Sequence, residues 1–219
     1  MDKPKGVTVS DVVSLIEADI IFGRYHPRER LVEEDLMTKA QAKRHTVRTA
    51  LKELEARGLV VRARNRGASV RELSDTEIDH IYQMRALLQA GAVDLMTFPL
   101  PKSFVRELKE IHLKFEQTIQ RGAILEVNNL NEAFHRKLFS ASGNPNLIAD
   151  IERYGSVVKT IRSHAIAEPN RLEKSRLEHE KMVQAIEKSD SEALRSLCVD
   201  HLWGALEAYR AHVSLNRRS

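Results

Sequence analysis

Nine histidines are spread along this chain, and three of them, His135, His179 and His201, fall on the apolar faces of three separate helix-prone segments. His135 shares its face with Val127, Phe134, Leu138 and Phe139, His179 with Met182, Val183 and Ile186, and His201 with Leu194, Leu197, Cys198, Leu202 and Ala205. A lone inward imidazole is ordinarily a satisfied core residue. Three from three helices of one bundle leave ring nitrogens unpaired unless a metal, an anion or polar partners meet them. Arg85 poses a related problem, because it sits within the stripe Ile78, Ile81, Tyr82, Leu88 and Ala92, where a permanent cation is unfavourable without an anion. That anion is either a bundle acid such as Glu132, in an internal salt bridge, or one that the chain binds.

A second concentration of chemistry is electrostatic. The formal net charge is +4, yet residues 1–73 hold 15 basic and 11 acidic side chains while residues 74–219 hold 20 of each. The excess therefore lies in the first third, and within Lys39–Arg71 the count is 10 against 2. A basic block of this kind is either a solvated face or a nucleic-acid surface, and its arrangement on elements has to decide between them.

Those elements can be read from periodicity. Val9, Val12, Val13, Ile16, Ile20 and Ile21 predict a first helix with Ser10 as its cap, fading at Gly23. Leu31–Met37 reads as a short second helix with acids in its first turn. A third spans about Arg44 to Arg57, turns Val47, Ala50, Leu51 and Leu54 inward, and stops at Gly58. Leu59–Arg64 and Ala68–Arg71 are β-prone and flank Asn65-Arg66-Gly67, a hairpin turn. Three helices and a hairpin make a winged helix-turn-helix. After Leu73 the pattern is helical at about 76–97, 101–121, 124–142, 145–167, 171–188 and 190–213, broken at Pro and Gly positions, which predicts an antiparallel all-α bundle. The expected fold class is mainly α, with a winged-helix domain over 1–73 and a helical-bundle domain over 74–219.

On the third helix, Arg44, His45 and Arg48 share a face opposite Val47, Leu51 and Leu54. That face suits a major groove, with Arg44 and Arg48 able either to form bidentate guanine contacts or simply to hold phosphates, and with Thr46 at the same helix start. Lys43 and Lys52 are placed as phosphate clamps. At the hairpin tip Arg66 can reach a minor groove or a phosphate, and Gly67 lets the backbone approach closely.

The order Arg30-Leu31-Val32-Glu33-Glu34-Asp35-Leu36, Arg44–Leu51, Leu54–Val60 and Asn65-Arg66-Gly67-Ala68 resembles the DNA-binding domain of GntR-family transcription regulators over residues 8–73. It departs from the family where Pro27-Arg28 replaces Pro-Gly, where Gln41 replaces the turn glycine, and where His45-Thr46 replaces Thr-Pro. These changes are expected to alter operator preference and leave the fold intact. The second half is similar to the FCD effector domain of the FadR-like branch, through Arg85, Asn131–His135, Ser142–Pro145, Glu178-His179 and His201-Leu202. The resemblance implies a divalent metal of the zinc, nickel or manganese class on His135, His179 and His201. Asn131 stands at the position of the family's aspartate ligand, where a neutral amide is the poorer donor. It further implies that Arg85 holds an effector carboxylate.

The expected function is a ligand-responsive regulator, a repressor, acting as a homodimer on a palindromic double-stranded operator. Two alternatives remain at this stage. One is a DNA-binding protein whose bundle only dimerises; the other is a His-ligated metalloenzyme, against which stand the missing H-E-x-x-H pattern and the absence of an evident general base. A single cysteine, Cys198, excludes an internal disulfide, and with no signal-like start or membrane-length apolar run the expected compartment is the cytoplasm, with no membrane partner.

Overall fold

The computed structural model describes residues 6–63, 67–159, 161–162 and 169–216. The chain divides into two compact units, Met1–Ser74 and Asp75–Ser219. In the first, helix α1 (Val9–Ile21) is followed by strand β1 (Arg30–Leu31), α2 (Glu33–Ala40), α3 (Arg44–Ala56) and strands β2 (Val60–Ala63) and β3 (Gly67–Val70). The cap of α1 is Thr8 rather than Ser10: the Thr8 hydroxyl accepts from Asp11 N at 3.2 Å while Asp11 Oδ2 accepts from Thr8 N at 2.8 Å, a reciprocal capping box.

The predicted second helix begins two residues later than its sequence suggests. Arg30 and Leu31 pair instead with Ser69 and Ala68, so the wing is a three-stranded antiparallel sheet of order β1-β3-β2. Leu31 goes to the strand because its side chain reaches the core from there, 2% exposed. The two departures at glycine-type positions leave the backbone path unchanged in kind: Arg28 and Gln41 take left-handed conformations at φ 68° and 49°, at a penalty of roughly 1 kcal/mol each. The core of this unit is wholly aliphatic at its centre, with Val12, Ile16, Val47, Ala50 and Leu54 all fully buried.

The elements of the second unit, among its described residues, are the helices α4 (Asp75–Asp94), α5 (Lys102–Arg121), α6 (Ile124–Ser140), α7 (Pro145–Val157), α8 (Pro169–Glu187) and α9 (Ser191–Asn216). Helix α4 packs on α7 and α9, and α5 packs on α6 and α8. The helix predicted to run to residue 167 ends at Val157 within the described residues. The interior of this unit carries polar groups as well as apolar ones: Arg85, Gln89, Asn131, Arg171, His179 and His201 are all buried.

Candidate functional site

On the first unit, α3 presents Lys43, Arg44, His45, Arg48 and Lys52 to solvent on one side and buries Val47, Ala50, Leu51 and Leu54 on the other. Lys43 is the N-cap and makes no side-chain cap bond, so no capping side chain occupies the first backbone N–H groups of α3. Thr46 differs from expectation. It is 6% exposed, with its hydroxyl 3.3 Å from His45 Nε2, because its position on the helix turns toward the core beside Val47. Gly67 is exposed at φ 79°, and the Arg30 guanidinium lies within 4 Å of where a Cβ would stand. Arg30 is thus a further basic group at the wing that sequence reading passed over. Arg66 lies outside the described residues.

The helix-turn-helix also carries acids beside these cations. Arg48 donates from Nε to both carboxylate oxygens of Glu33, at 3.0 and 2.9 Å, and Arg44 donates from Nη2 to Glu34 Oε1 at 3.1 Å.

In the second unit the three histidines meet. His135 Nε2 is 3.2 Å from His201 Nε2 and 3.2 Å from His179 Nε2, and one ring nitrogen from each lies within 4.8 Å of the others. Spacings near 3.2 Å suit three donors each about 2.0–2.1 Å from one divalent ion. They come from α6, α8 and α9 because each occupies the inward register of an amphipathic helix, between Phe134 stacked at 4.2 Å on the His179 ring and Phe139 stacked at 6.1 Å on the His135 ring.

Protonation follows from the surroundings. Burial, with the neighbouring positive groups, holds His135 and His179 well below the ordinary imidazole range. Burial also lowers His201, opposed by Glu178. Burial pulls the Glu178 carboxyl upward, but bonds from His201 and Arg171 outweigh it and leave it below the usual range. Glu178 is therefore an ionised acceptor, and His201 Nδ1 donates to its Oε2 at 2.6 Å. That bond fixes the tautomer, so His201 Nε2 turns a lone pair toward the other two rings. Arg171 in turn donates to Glu178 Oε2 at 3.0 Å and to the His201 carbonyl at 3.1 Å. It runs against Gly204, where a Cβ would stand 3.1 Å from its Nη2. Neither Arg171 nor Gly204 carries a sequence signal for this role; both read as ordinary helix positions.

A cavity of about 100 Å³ opens beside the cluster, lined in part by Arg85, Gln89, Asn131, His135, Ser175 and His201. Asn131, 3% exposed, brings its amide to the same wall. The internal salt bridge weighed for Arg85 does not form: Glu132 accepts from Arg162 at 2.8 Å and pairs with Lys159 at 3.1 Å. Arg85 lies over the Tyr82 ring at 5.1 Å, and its Nε and Nη1 are buried with no hydrogen-bond partner among the described residues. Burial lowers its pKa to about 10, which still leaves it a cation at neutral pH. One histidine was overlooked: His112 on α5 is 8% exposed and edge-on to His179 at 6.1 Å. It buttresses the cluster without joining the three converging nitrogens.

Residues 80–203 match the family described as FCD domain, and residues 8–70 match bacterial regulatory proteins, gntR family. The chain is 26% identical over 183 residues to the uncharacterized HTH-type transcriptional regulator YdhC of Bacillus subtilis (strain 168), covering 83% of this chain and 82% of that protein. It is 28% identical over 140 residues to the Nta operon transcriptional regulator of Aminobacter aminovorans, covering 63% and 65%. Among solved structures, E. coli McbR/YncC superposes with a TM-score of 0.77 at 21% identity, covering 94% of this chain and 98% of that one. A putative GntR regulator from Rhodococcus sp. RHA1 does so with 0.73 at 20% identity, covering 93% and 97%.

Proposed function

The chain belongs to the gntR family of bacterial regulatory proteins, carries an FCD domain and is a DNA-binding transcription regulator; from that premise we propose that it is a repressor released by a small organic acid at a divalent-metal site. The observation that carries this reading is the convergence of three histidine ring nitrogens, with His135 and His201 on a cavity wall, beside a buried arginine whose Nε and Nη1 have no hydrogen-bond partner among the described residues. His135, His179 and His201 would hold a zinc-, nickel- or manganese-class ion, which supplies Lewis-acid attraction for a carboxylate. Asn131 contributes a neutral amide oxygen to the same wall, so the ion keeps more of its positive charge than beside an aspartate. Metal and anion then bind cooperatively. Arg85 takes the other share of the carboxylate charge, because its free Nε and Nη1 regain in the anion the partners that burial removed.

In the first unit, Arg44 and Arg48 are the base-reading candidates, with His45 beside them. Lys43, Lys52 and Arg66 serve phosphates, and Gly67 allows close approach of the wing. Thr46, being buried, serves the helix packing instead. A homodimer is supported by the small footprint of one winged helix. It is also supported by exposed aliphatic side chains on one side of α4, with Met84 and Leu87 at 40% and 71% exposure and Leu95 just beyond at 52%.

The test is a titration of zinc, nickel and manganese into chelator-stripped protein, with and without each of a panel of small carboxylates, alongside gel shifts on the DNA upstream of its own gene. The expected result is tighter metal binding when the effective acid is present, loss of DNA on its addition, and Arg85→Ala protein that binds DNA normally and ignores the acid. An Arg85→Ala protein that still releases DNA on adding the acid would overturn the assignment, and equal metal affinities in both titrations would remove the coupling.

A further inference from the structure

The DNA-facing side of the first unit poses an electrostatic puzzle. Helix α2 opens with three consecutive acids, Glu33, Glu34 and Asp35, directly beside the basic face of α3. Acids in a first turn favour the helix dipole, but carboxylates next to a phosphate backbone oppose binding. Two of the three are spent on specific arginines, and they are spent differently. Glu33 grips Arg48 through Nε with both of its oxygens, at 3.0 and 2.9 Å. Among the described residues the Arg48 hydrogen bonds run through Nε, which leaves the Nη1/Nη2 edge of the guanidinium unengaged. With Nε held by Glu33, that edge is the one still free to make the two parallel bonds to O6 and N7 of a guanine. Glu34 instead takes Arg44 by Nη2, at 3.1 Å, a terminal nitrogen that a bidentate base contact on that edge would itself need.

We infer that Glu33 is a positioning residue that aims Arg48 at a base edge, whereas Glu34 competes with DNA for Arg44. This rests on the reading of Arg48 as a base contact. Two adjacent glutamates thereby have opposite signs. Glu33 lowers the rotamer freedom that Arg48 would lose on binding and selects base over phosphate; Glu34 holds Arg44 back from any duplex. Glu33 is suited to its part because it is the more enclosed of the two acids, its side chain 29% exposed against 74% for Glu34, so its pairing is the less screened by solvent.

The experiment uses the full chain. A preferred duplex is selected from a randomised pool by the wild-type protein, and affinities for that duplex and a scrambled one are measured by fluorescence anisotropy at one fixed salt concentration. Glu33→Gln should weaken the preferred duplex about tenfold while leaving the scrambled duplex unchanged or slightly tighter. Glu34→Gln should tighten both about threefold, as removal of one competing charge does. Because Glu33 acts through Arg48, the double variant Glu33→Gln, Arg48→Ala should match Arg48→Ala alone in its preference ratio, a result that a merely structural role of Glu33 would not give. If Glu33→Gln tightens both duplexes as Glu34→Gln does, or if the two changes in the double variant simply add, the positioning role is overturned. If Arg48→Ala itself leaves the preference ratio unaltered, the base-contact reading fails first and the inference with it.

Discussion

The two units handle charge in opposite ways. In the first, the core is aliphatic and nearly every charged group stands at the surface; Asp19 is the buried exception, and it is neutralised by Arg24 at 2.7 Å and Lys39 at 2.6 Å. In the second, an arginine without a salt-bridge partner among the described residues, three histidines and an asparagine sit inside the bundle. An interior of the first kind is built for stability, since each buried aliphatic side chain contributes about 1.5–3 kcal/mol. An interior of the second kind holds back stability until something with complementary charge enters. The difference separates a stably packed DNA-binding unit from a unit that, under the proposed function, gains stability when an anion enters.

The largest test of this contrast lies in the aliphatic core. Leu54, fully buried in this core, should cost about 3 kcal/mol when replaced by Ala, read as a fall in the denaturant midpoint of the transition that also removes DNA binding. A loss below about 1 kcal/mol would mean that this core is looser than its burial indicates. Next comes the histidine cluster. Glu178→Gln removes the carboxylate that holds His201 Nδ1 at 2.6 Å and should lower metal affinity 10- to 100-fold, roughly 1.4–2.7 kcal/mol, in a calorimetric titration. Wild-type affinity in that variant would make the Glu178–His201 pair a packing feature only.

The smallest expected effect has the opposite sign. Arg85→Met fills a similar volume without a buried charge and should raise the stability of the ligand-free chain by about 1 kcal/mol while abolishing any response to acid. Destabilisation instead would show that Arg85 already has a compensating partner, and the contrast between the two units would narrow.

The DNA-binding unit was largely legible in the chain order of its residues. Val12, Val13, Ile16 and Ile20, then Val47, Ala50, Leu51 and Leu54, repeat at helical spacing, and the hairpin segments flank a turn with the residue types it needs; local pattern and tertiary packing agree there. Two local signals were misread for a physical reason. Leu31 has a helix-compatible neighbourhood, yet β3 offers it a ladder and a buried position, and Thr46 occupies the reading helix but faces inward. In the bundle, periodicity was enough to turn His135, His179 and His201 inward, because facing is set by the 3.6-residue repeat of each helix taken alone.

What periodicity cannot supply is depth. Whether three inward rings on three helices stand at one level depends on helix crossing and register, which are set by the packing of all side chains together; only the tertiary structure brought the Nε2 atoms of His179 and His201 each to 3.2 Å from that of His135. The same holds for partner choice. The sequence by itself determined that Arg85 is a cation on an apolar stripe, with Glu132 a reasonable acceptor. The fold decided otherwise by giving Glu132 to Arg162 and Lys159, because ion pairing falls off over a few ångströms and is won by whichever charge the packing places nearest.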